Sequence, residues 1–242
     1  MDFSYGRDNE VSCANLSRVE RSASEAVGVA DIEGLGAEKV VERMLDRFHP
    51  QLALACSFQK EDSVLLDLLL TREPSARVFA LDTHVLFPET YDVWRAVERR
   101  YGVKVEVFEG PTLSEQAATH GEALWERKPD LCCAIRKVAP LTRALAGLNG
   151  WIAGVRRDQS PTRAATAKIA WDEGHELWKA APLADWTDED VWAYVRAHDL
   201  PVNPLHTRGY ASIGCTHCTQ PGEGREGRWA GFVKAECGLH AS

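Results

Sequence analysis

The chain has 242 residues, with 28 lysines and arginines against 36 aspartates and glutamates, a formal net charge of −8. Its 45% hydrophobic and 26% charged residues are typical of soluble globular proteins, and no run approaches the ~18 apolar residues of a membrane helix. The acidic balance excludes wholesale binding to nucleic-acid phosphates. The opening residues carry acids and no apolar secretory core. We therefore expect a cytoplasmic protein that binds neither nucleic acid nor a membrane.

Hydrophobic spacing along the chain predicts alternating strands and helices. The predicted strands are 52–56, 78–81, 103–108 and 151–155, and the predicted helices are 35–48, 63–70, 89–101, several within 113–148, and 188–198. Repeated βα units of this kind predict an α/β fold, a parallel sheet with helices on both faces.

The two ends of the chain differ from this central part. Residues 1–34 show scattered charges and no periodicity, which indicates a loosely ordered N-terminal arm. Five glycines and Pro221 fall between positions 214 and 231, too many helix and strand breakers for a regular element. We therefore divide the chain into the arm 1–34, an α/β domain 35–213 and a mobile C-terminal segment 214–242.

Polar residues follow two of the predicted strands at the edge where open parallel sheets bind ligands. Ser57 opens the first such segment, where backbone N–H groups at the next helix could cradle an anion, although a plain turn capped by Ser57 explains it equally well. Arg156, Arg157 and Arg163 follow the later strand and are candidate phosphate or sulfate ligands, because a guanidinium is a permanently charged forked donor. Each could also be an ordinary surface arginine.

Four of the seven cysteines form two pairs, the adjacent Cys132-Cys133 and the Cys215-x-x-Cys218 motif. Four thiolates complete a zinc site or an iron–sulfur cluster. A zinc half-site usually has two to four spacer residues, so the adjacent pair favours iron–sulfur; a redox-active dithiol in the second motif is a further alternative. Lys137, one turn beyond on a presumed helix, could offset the thiolate charge.

Cys237 stands apart from both pairs, near the end of the chain. A free cysteine is a nucleophile as its thiolate, and Arg225, Arg228 or protonated His240 would favour that form. A lone cysteine is nevertheless most often inert.

Together these residues resemble the assimilatory sulfonucleotide reductases, specifically the iron–sulfur adenylyl-sulfate (APS) reductases, over about residues 52–240. The resemblance rests on Cys132-Cys133-x-x-Arg136-Lys137, Gly154-Val155-Arg156-Arg157-Asp158-Gln159-Ser160, Gly214-Cys215-x-x-Cys218, Arg225-Glu226-Gly227-Arg228-Trp229 and Glu236-Cys237-Gly238-Leu239-His240. One departure from related ATP pyrophosphatases is the absence of a Gly-Gly pair between Ser57 and Ser63, which suits a reductase better than an adenylating enzyme.

The resemblance implies an adenine-nucleotide α-hydrolase-like fold and a role for each motif. By this carry-over, Cys132, Cys133, Cys215 and Cys218 hold a [4Fe–4S] cluster that Lys137 tunes, Cys237 is the nucleophile, and Arg163, Arg225, Arg228 and His240 contact the phosphosulfate of the substrate.

The hypothesis from the sequence is an enzyme that reduces APS to sulfite and AMP through an S-sulfocysteine on Cys237. A single nucleophilic cysteine needs electrons from an external dithiol, thioredoxin or glutaredoxin. Three alternatives are a phosphoadenylyl-sulfate (PAPS) reductase, a tRNA sulfurtransferase of the ATP-pyrophosphatase superfamily and a zinc-bound interaction module. The oligomeric state stays open, and a homo-oligomer is compatible with the sequence.

Overall fold

The computed structural model describes residues 31–240. Its helices are α1 Ala37–Phe48, α2 Lys60–Leu70, α3 Pro88–Tyr101, α4 Leu113–His120, α5 Leu124–Arg127, α6 Pro129–Cys133, α7 Ala139–Leu145 and α8 Asp188–Ala197. Its strands are β1 Leu52–Ala55, β2 Arg77–Asp82, β3 Glu106–Glu109, β4 Gly150–Ala153, β5 Ile169–Asp172 and β6 Leu177–Ala180. Of the predicted arm 1–34, residues 1–30 lie outside the described part, and Ile32 packs into the core.

The six strands form one sheet in the order β3-β2-β1-β4-β6-β5. All neighbouring strands are parallel except β5, which pairs antiparallel with β6. The predicted α/β class is thus confirmed, but the sheet is not wholly parallel and contains two strands that the sequence analysis missed. In β5, the apolar run Ile169-Ala170-Trp171 is only three residues long and does not alternate with polar residues, so this edge strand is too short to be predicted from its pattern.

Helices cover both faces of the sheet, as predicted. On one face, α1, α2, α3 and α8 pack on alternate strand residues such as Leu54 and Ile152. On the other face, α7 packs on the intervening residues Ala53 and Trp151. The alternation follows from the period of two along a strand, which sends successive side chains to opposite faces. No helix within residues 31–240 is long and apolar enough to cross a bilayer.

Helix α2 begins at Lys60, three residues before the predicted start at Ser63. The sequence predicted a turn over residues 57–62, yet Lys60, Glu61 and Asp62 belong to the helix and all three are buried. Burial of charges is tolerated when each has a partner. Lys60 Nζ lies 2.7 Å from Asp188, and the pairing of Glu61 is described below.

The C-terminal segment is irregular over its described residues, as its glycines and proline predicted. Its short 3-10 turn, Thr216–Cys218, follows a β-bridge between Leu86 and Cys215. Trp229 and Cys237 are both buried, so this segment packs against the domain instead of standing away from it.

Candidate active site

A cavity of about 700 Å³ lies at the carboxyl ends of the central strands. Strand β1 has β2 on one side and β4 on the other, so the chain order reverses here, as it does at the ligand sites of open α/β sheets. The segments after these three strands contribute Ser57, Thr83 and Gly154 to the wall, and the C-terminal segment contributes Arg225 and Cys237. The cavity therefore joins the sheet edge to the C-terminal segment.

The Cys237 side chain is 8% exposed and packs against Cys133 and Trp229. Burial alone would raise the pKa of this thiol, but Lys137, the amide of Leu239, Arg228 and Arg225 outweigh burial and lower the pKa. A thiol with a lowered pKa at the wall of a cavity is the arrangement that a cysteine nucleophile requires.

Two arginines of the C-terminal segment carry unused hydrogen-bond donors into this region. The Nε atoms of Arg225 and Arg228 are buried and have no partner among the described residues. Burial, and after it the positive charge of Arg163, lower the pKa of the Arg225 guanidinium to about 10. Several cations therefore lie close together here. Buried cations with spare donors form a binding site for an anion.

His240 lies at the same end of the cavity. Its ring stacks on Trp151 with centroids 5.8 Å apart. Burial, followed by the charges of Lys179, Arg163 and Arg225, lowers the pKa of His240 well below its usual range. The imidazole is therefore neutral, and its Nδ1 has no partner among the described residues. A neutral ring can donate or accept one hydrogen bond at this site.

Three of the predicted substrate-binding arginines have other partners in the structure, and those of Arg163 are Glu236 and Gln159. Arg157 does not line the cavity; its guanidinium donates to the Thr166 carbonyl and to Glu33. Arg156 lines the cavity, but its donors are taken by Glu61, Asp158, Asp188 and the Trp186 carbonyl. The sequence could not show these pairings because the acids that bind the three arginines come largely from distant elements.

The predicted anion cradle at Ser57 is already filled from within the chain. The Ser57 amide and hydroxyl both donate to the Asp62 carboxylate at 2.6 Å. Ser57 thus lines the cavity with its own donors committed, and Asp62 occupies the position that an external anion would take.

A second, smaller cavity is lined by Cys132, Cys133, Cys215 and Cys218 together with Lys137. The two cysteine pairs, 82 residues apart in the sequence, therefore face one space, as the sequence analysis predicted. Lys137 lines both cavities. Its ammonium is close enough to Cys215, Cys237 and Cys133 for their charges to raise its pKa, although burial opposes that rise.

A π-helical turn separates the adjacent cysteines from the helix that follows them. Helix α6 ends at Cys133 and the π turn, Ala134–Val138, which contains Lys137, follows directly. Lys137 is four residues beyond Cys133, so the two side chains lie on the same side of this helical stretch. Turns of this kind are frequent at functional sites, but nothing in residue composition distinguishes them from an α-helix.

The cysteine cavity fits an iron–sulfur cluster better than a single zinc ion. A tetrahedral zinc ion with Zn–S bonds of about 2.3 Å holds its sulfurs about 3.8 Å apart. Within residues 31–240, one group of three metal-binding side chains has all its ligand atoms within 4.8 Å of one another, Asp82, His84 and Glu109. No three of the cysteine sulfurs are therefore that close together. Arg136 Nη2 and Trp229 Nε1 are buried without a partner among the described residues, and they line the cavity where they would donate to the sulfur atoms of a cluster.

Comparison with known proteins agrees with this site. The family described as "Phosphoadenosine phosphosulfate reductase domain" matches residues 51–221, from the start of β1 past the second cysteine pair. The chain belongs to this family. The resemblance inferred from the motifs is therefore confirmed at the level of the family.

Individual relatives within the family carry more specific names than the family itself. The chain is 47% identical over 214 residues to a protein of Bacillus mycoides (strain KBAB4) named adenosine 5'-phosphosulfate reductase, covering 86% of this chain and 92% of the relative. It is 46% identical over 211 residues to a protein of the same name from Lysinibacillus sphaericus, covering 85% and 91%.

Among solved structures, the phosphoadenylyl-sulfate reductase of Candida auris in a phosphate complex is similar, with a TM-score of 0.71, 29% identity, and coverage of 85% of this chain and 98% of that one. A Candida glabrata FMN adenylyltransferase, 14% identical with a TM-score of 0.55, covering 88% and 70%, shares the fold. These likenesses confirm the predicted adenine-nucleotide α-hydrolase-like architecture.

Sequence reasoning missed two residues that the structure places at the site. Glu236 binds Arg163, and Gln159 links Arg163 to the sheet. Both lie within motifs that were recognised, next to residues with assigned roles. The available signal was a carboxylate directly beside the candidate nucleophile, an unusual neighbour for an anion-binding site.

Proposed function

We propose that this protein reduces APS to sulfite and AMP, with Cys237 as the nucleophile and a dithiol protein, thioredoxin or glutaredoxin, as the electron donor. The observation that carries the proposal is the Cys237 thiol at the cavity wall, with its pKa lowered by Lys137, Arg228 and Arg225 despite burial. The names of the bacterial relatives support APS as the substrate.

In the first half of the reaction, the Cys237 thiolate attacks the sulfur atom of the sulfuryl group. A sulfur–sulfur bond forms, the bond from that sulfur to the bridging oxygen breaks, and the electron pair leaves on the phosphate of AMP. Arg225, Arg228 and Lys137 stabilise the negative charge that develops on the oxygens. His240, neutral and with a free ring nitrogen, supplies one further hydrogen bond.

In the second half, a thiolate of the donor attacks Cys237 Sγ and sulfite leaves. The second donor thiol then displaces Cys237 from the mixed disulfide, so the donor becomes a disulfide and the enzyme regains its thiol. Two electrons pass from the dithiol to sulfur. An external donor is needed because Cys133, the described cysteine that packs against Cys237, is one of the four that we assign to the cluster below.

We also propose that Cys132, Cys133, Cys215 and Cys218 hold a [4Fe–4S] cluster. When bound, the cluster supplies charge and structural rigidity beside Lys137, and the donor dithiol supplies the electrons. One set of residues lines the nucleotide cavity and a second set lines the cysteine cavity. Lys137 belongs to both sets.

PAPS reduction is the second candidate because a PAPS reductase is among the structural neighbours. PAPS carries an additional ribose phosphate, which requires an additional cation. Apart from the cations near Cys237, the Lys and Arg residues lining the cavity in the described chain are Lys60 and Arg156. Both are already paired, Lys60 with Asp188 and Arg156 with Glu61 and Asp188. This pairing favours APS.

The deciding experiment mixes anaerobically purified protein with APS in the absence of a reductant. We expect one sulfonate on Cys237 by peptide mass spectrometry and one equivalent of AMP in a single burst, followed by sulfite release when thioredoxin is added. Cys237→Ser should keep nucleotide binding and lose both the adduct and turnover. An adduct on another cysteine, or a preference for PAPS in parallel reactions, would overturn the corresponding part of the proposal.

A further inference from the structure

Glu236, the residue directly before Cys237, is held by two arginines. Arg163 donates from Nε to Oε1 at 2.8 Å and from Nη2 to Oε2 at 2.9 Å, the two-pronged geometry of a strong arginine–carboxylate pair. Arg225 Nη2 donates to Oε2 at 3.0 Å, and the Thr162 hydroxyl donates to Oε1 at 3.2 Å. These partners outweigh burial and lower the pKa of Glu236, so the carboxylate is ionised.

Arg163 belongs to the α/β domain and is fixed there. It closes the 3-10 turn Pro161–Arg163, and its Nη1 donates to Gln159 Oε1 at 2.5 Å. Gln159 in turn donates to the Glu61 carboxylate and to the Gly154 carbonyl at the end of β4. The Arg163–Glu236 pair is therefore a direct link between the sheet and the C-terminal segment.

The three arginines at this end of the cavity are not equivalent. The Nε and Nη2 of Arg163 are occupied by Glu236 and its Nη1 by Gln159. In contrast, Arg225 and Arg228 each keep a buried Nε without a partner among the described residues. Arg225 and Arg228 therefore retain donors for an anion, whereas Arg163 is committed to the C-terminal segment.

We propose that Glu236 and Arg163 form an ionic latch that docks the C-terminal segment and thereby positions the Cys237 sulfur at the cavity. The inference rests on the proposed function in taking Cys237 as the nucleophile, and it makes Glu236 a positioning residue one peptide bond from the reacting sulfur.

The latch also explains how one thiol serves two partners of different size. In the docked arrangement Cys237 is 8% exposed, so a nucleotide in the cavity reaches the sulfur but a protein dithiol does not. The latch must open for the second half of the reaction. The carboxylate side of the pair suits this, because the Glu236 side chain is 26% exposed and water can solvate it as the pair separates.

The test compares Glu236→Gln, which removes the charge and keeps the shape, with the wild-type holoenzyme. Cys237 alkylation by iodoacetamide is followed by mass spectrometry across pH, because the limiting rate at high pH reports access and the midpoint reports the pKa. We expect the limiting rate to rise roughly fivefold or more, as for loss of a charge-assisted pair. Glu226→Gln, which neutralises an exposed acid of the same segment, should leave the rate unchanged.

Kinetics separate a latch from simple occupation of an anion site. A latch predicts that Glu236→Gln slows adduct formation at saturating APS while AMP affinity stays within about twofold. If Glu236 only fills the arginines until substrate displaces it, AMP and APS will bind more tightly and adduct formation will not slow. That result, or an unchanged alkylation limit, overturns the latch.

A charge exchange provides a second, independent measurement. Arg163→Glu alone should open the segment as Glu236→Gln does, and combining it with Glu236→Arg should bring the alkylation limit back toward the wild-type value. If the double variant is as exposed as either single variant, the latch is wrong. These alkylation readings need no turnover, so they remain valid even if the adduct experiment on the wild type disproves Cys237 as the nucleophile.

Discussion

Gly214 lies so close to Arg228 that a β-carbon at Gly214 would be 2.2 Å from Nη2 of the guanidinium. No pair of heavy atoms that are not bonded tolerates this distance. The absence of a side chain at Gly214 therefore creates the space in which Arg228 stacks on Trp229, 4.6 Å from the ring centre, beside the cavity.

Gly214→Ala should displace the Arg228 side chain and weaken nucleotide binding while leaving the fold intact, because the clash is with the end of a flexible side chain. We expect a loss of about 1.5–3 kcal/mol in AMP or APS binding, the cost of losing a charge-assisted hydrogen bond from the displaced guanidinium. Calorimetric titration with AMP measures it. Gly36→Ala is the control, since a β-carbon there meets nothing within 4 Å; equal losses in both variants would contradict the role of this contact.

Arg228→Ala should weaken APS binding or turnover by roughly 1.5–3 kcal/mol, as for a charge-assisted hydrogen bond. The matched variant is Arg157→Ala, since Arg157 lies outside the cavity and binds Glu33 and the Thr166 carbonyl. We expect Arg157→Ala to leave KM and kcat unchanged. Steady-state kinetics of both variants measures KM and kcat. Similar changes in the two variants would contradict a specific role for Arg228 at the cavity.

Cys218→Ser should lose iron, because four thiolates are needed to hold a cubane cluster. Anaerobic wild-type protein should be brown with about four irons and about four labile sulfides per chain, and the variant should be pale with fewer of both. Iron and sulfide analysis with the visible spectrum is the measurement. Cys56→Ser is the control, since Cys56 is buried away from the cysteine cavity. Zinc in the wild type would refute the assignment.

Asp62 should give the protein a distinct pH dependence of stability. Burial raises its pKa to about 6, from 3.8, against the hydrogen bonds from Ser57. The folded state therefore holds the proton more tightly than the unfolded state. Its contribution to stability is present below about pH 4 and is lost as the pH rises through about 6, by about 3 kcal/mol in total.

Asp62→Asn should remove that loss. As the pH rises from 4 to 7, the free energy of unfolding of the variant should therefore increase relative to that of the wild type. Urea denaturation across this range measures the difference. Asp46→Asn, at an exposed position of α1, should run parallel to the wild type. A parallel curve for Asp62→Asn as well would mean that Asp62 ionises normally.

The sequence analysis identified the layers of the fold and the cysteine pairs because both depend on local signals. Apolar runs such as 52–56 reveal buried strands, and cysteine spacing is visible without a structure. The predicted start of α2 was wrong because Lys60 and Glu61 look solvated until their distant partners are known, Asp188 at the start of α8 and Arg156 beyond the end of β4. The position of Arg157 outside the cavity was hidden for the same reason, since its partner Glu33 is 124 residues away. Long-range pairing of charges is thus the information that one sequence does not display.

Lys137 contributes to the walls of both cavities. This shared position couples the two sites thermodynamically. An ammonium shared by two sites stabilises negative charge in each, so charge placed on one side alters the stabilisation left for the other. Linkage requires the effect to be equal in both directions. A nucleotide that binds near Cys237 must therefore change the affinity of the cysteine cavity for negative charge by the same free energy with which charge in that cavity changes the affinity for the nucleotide.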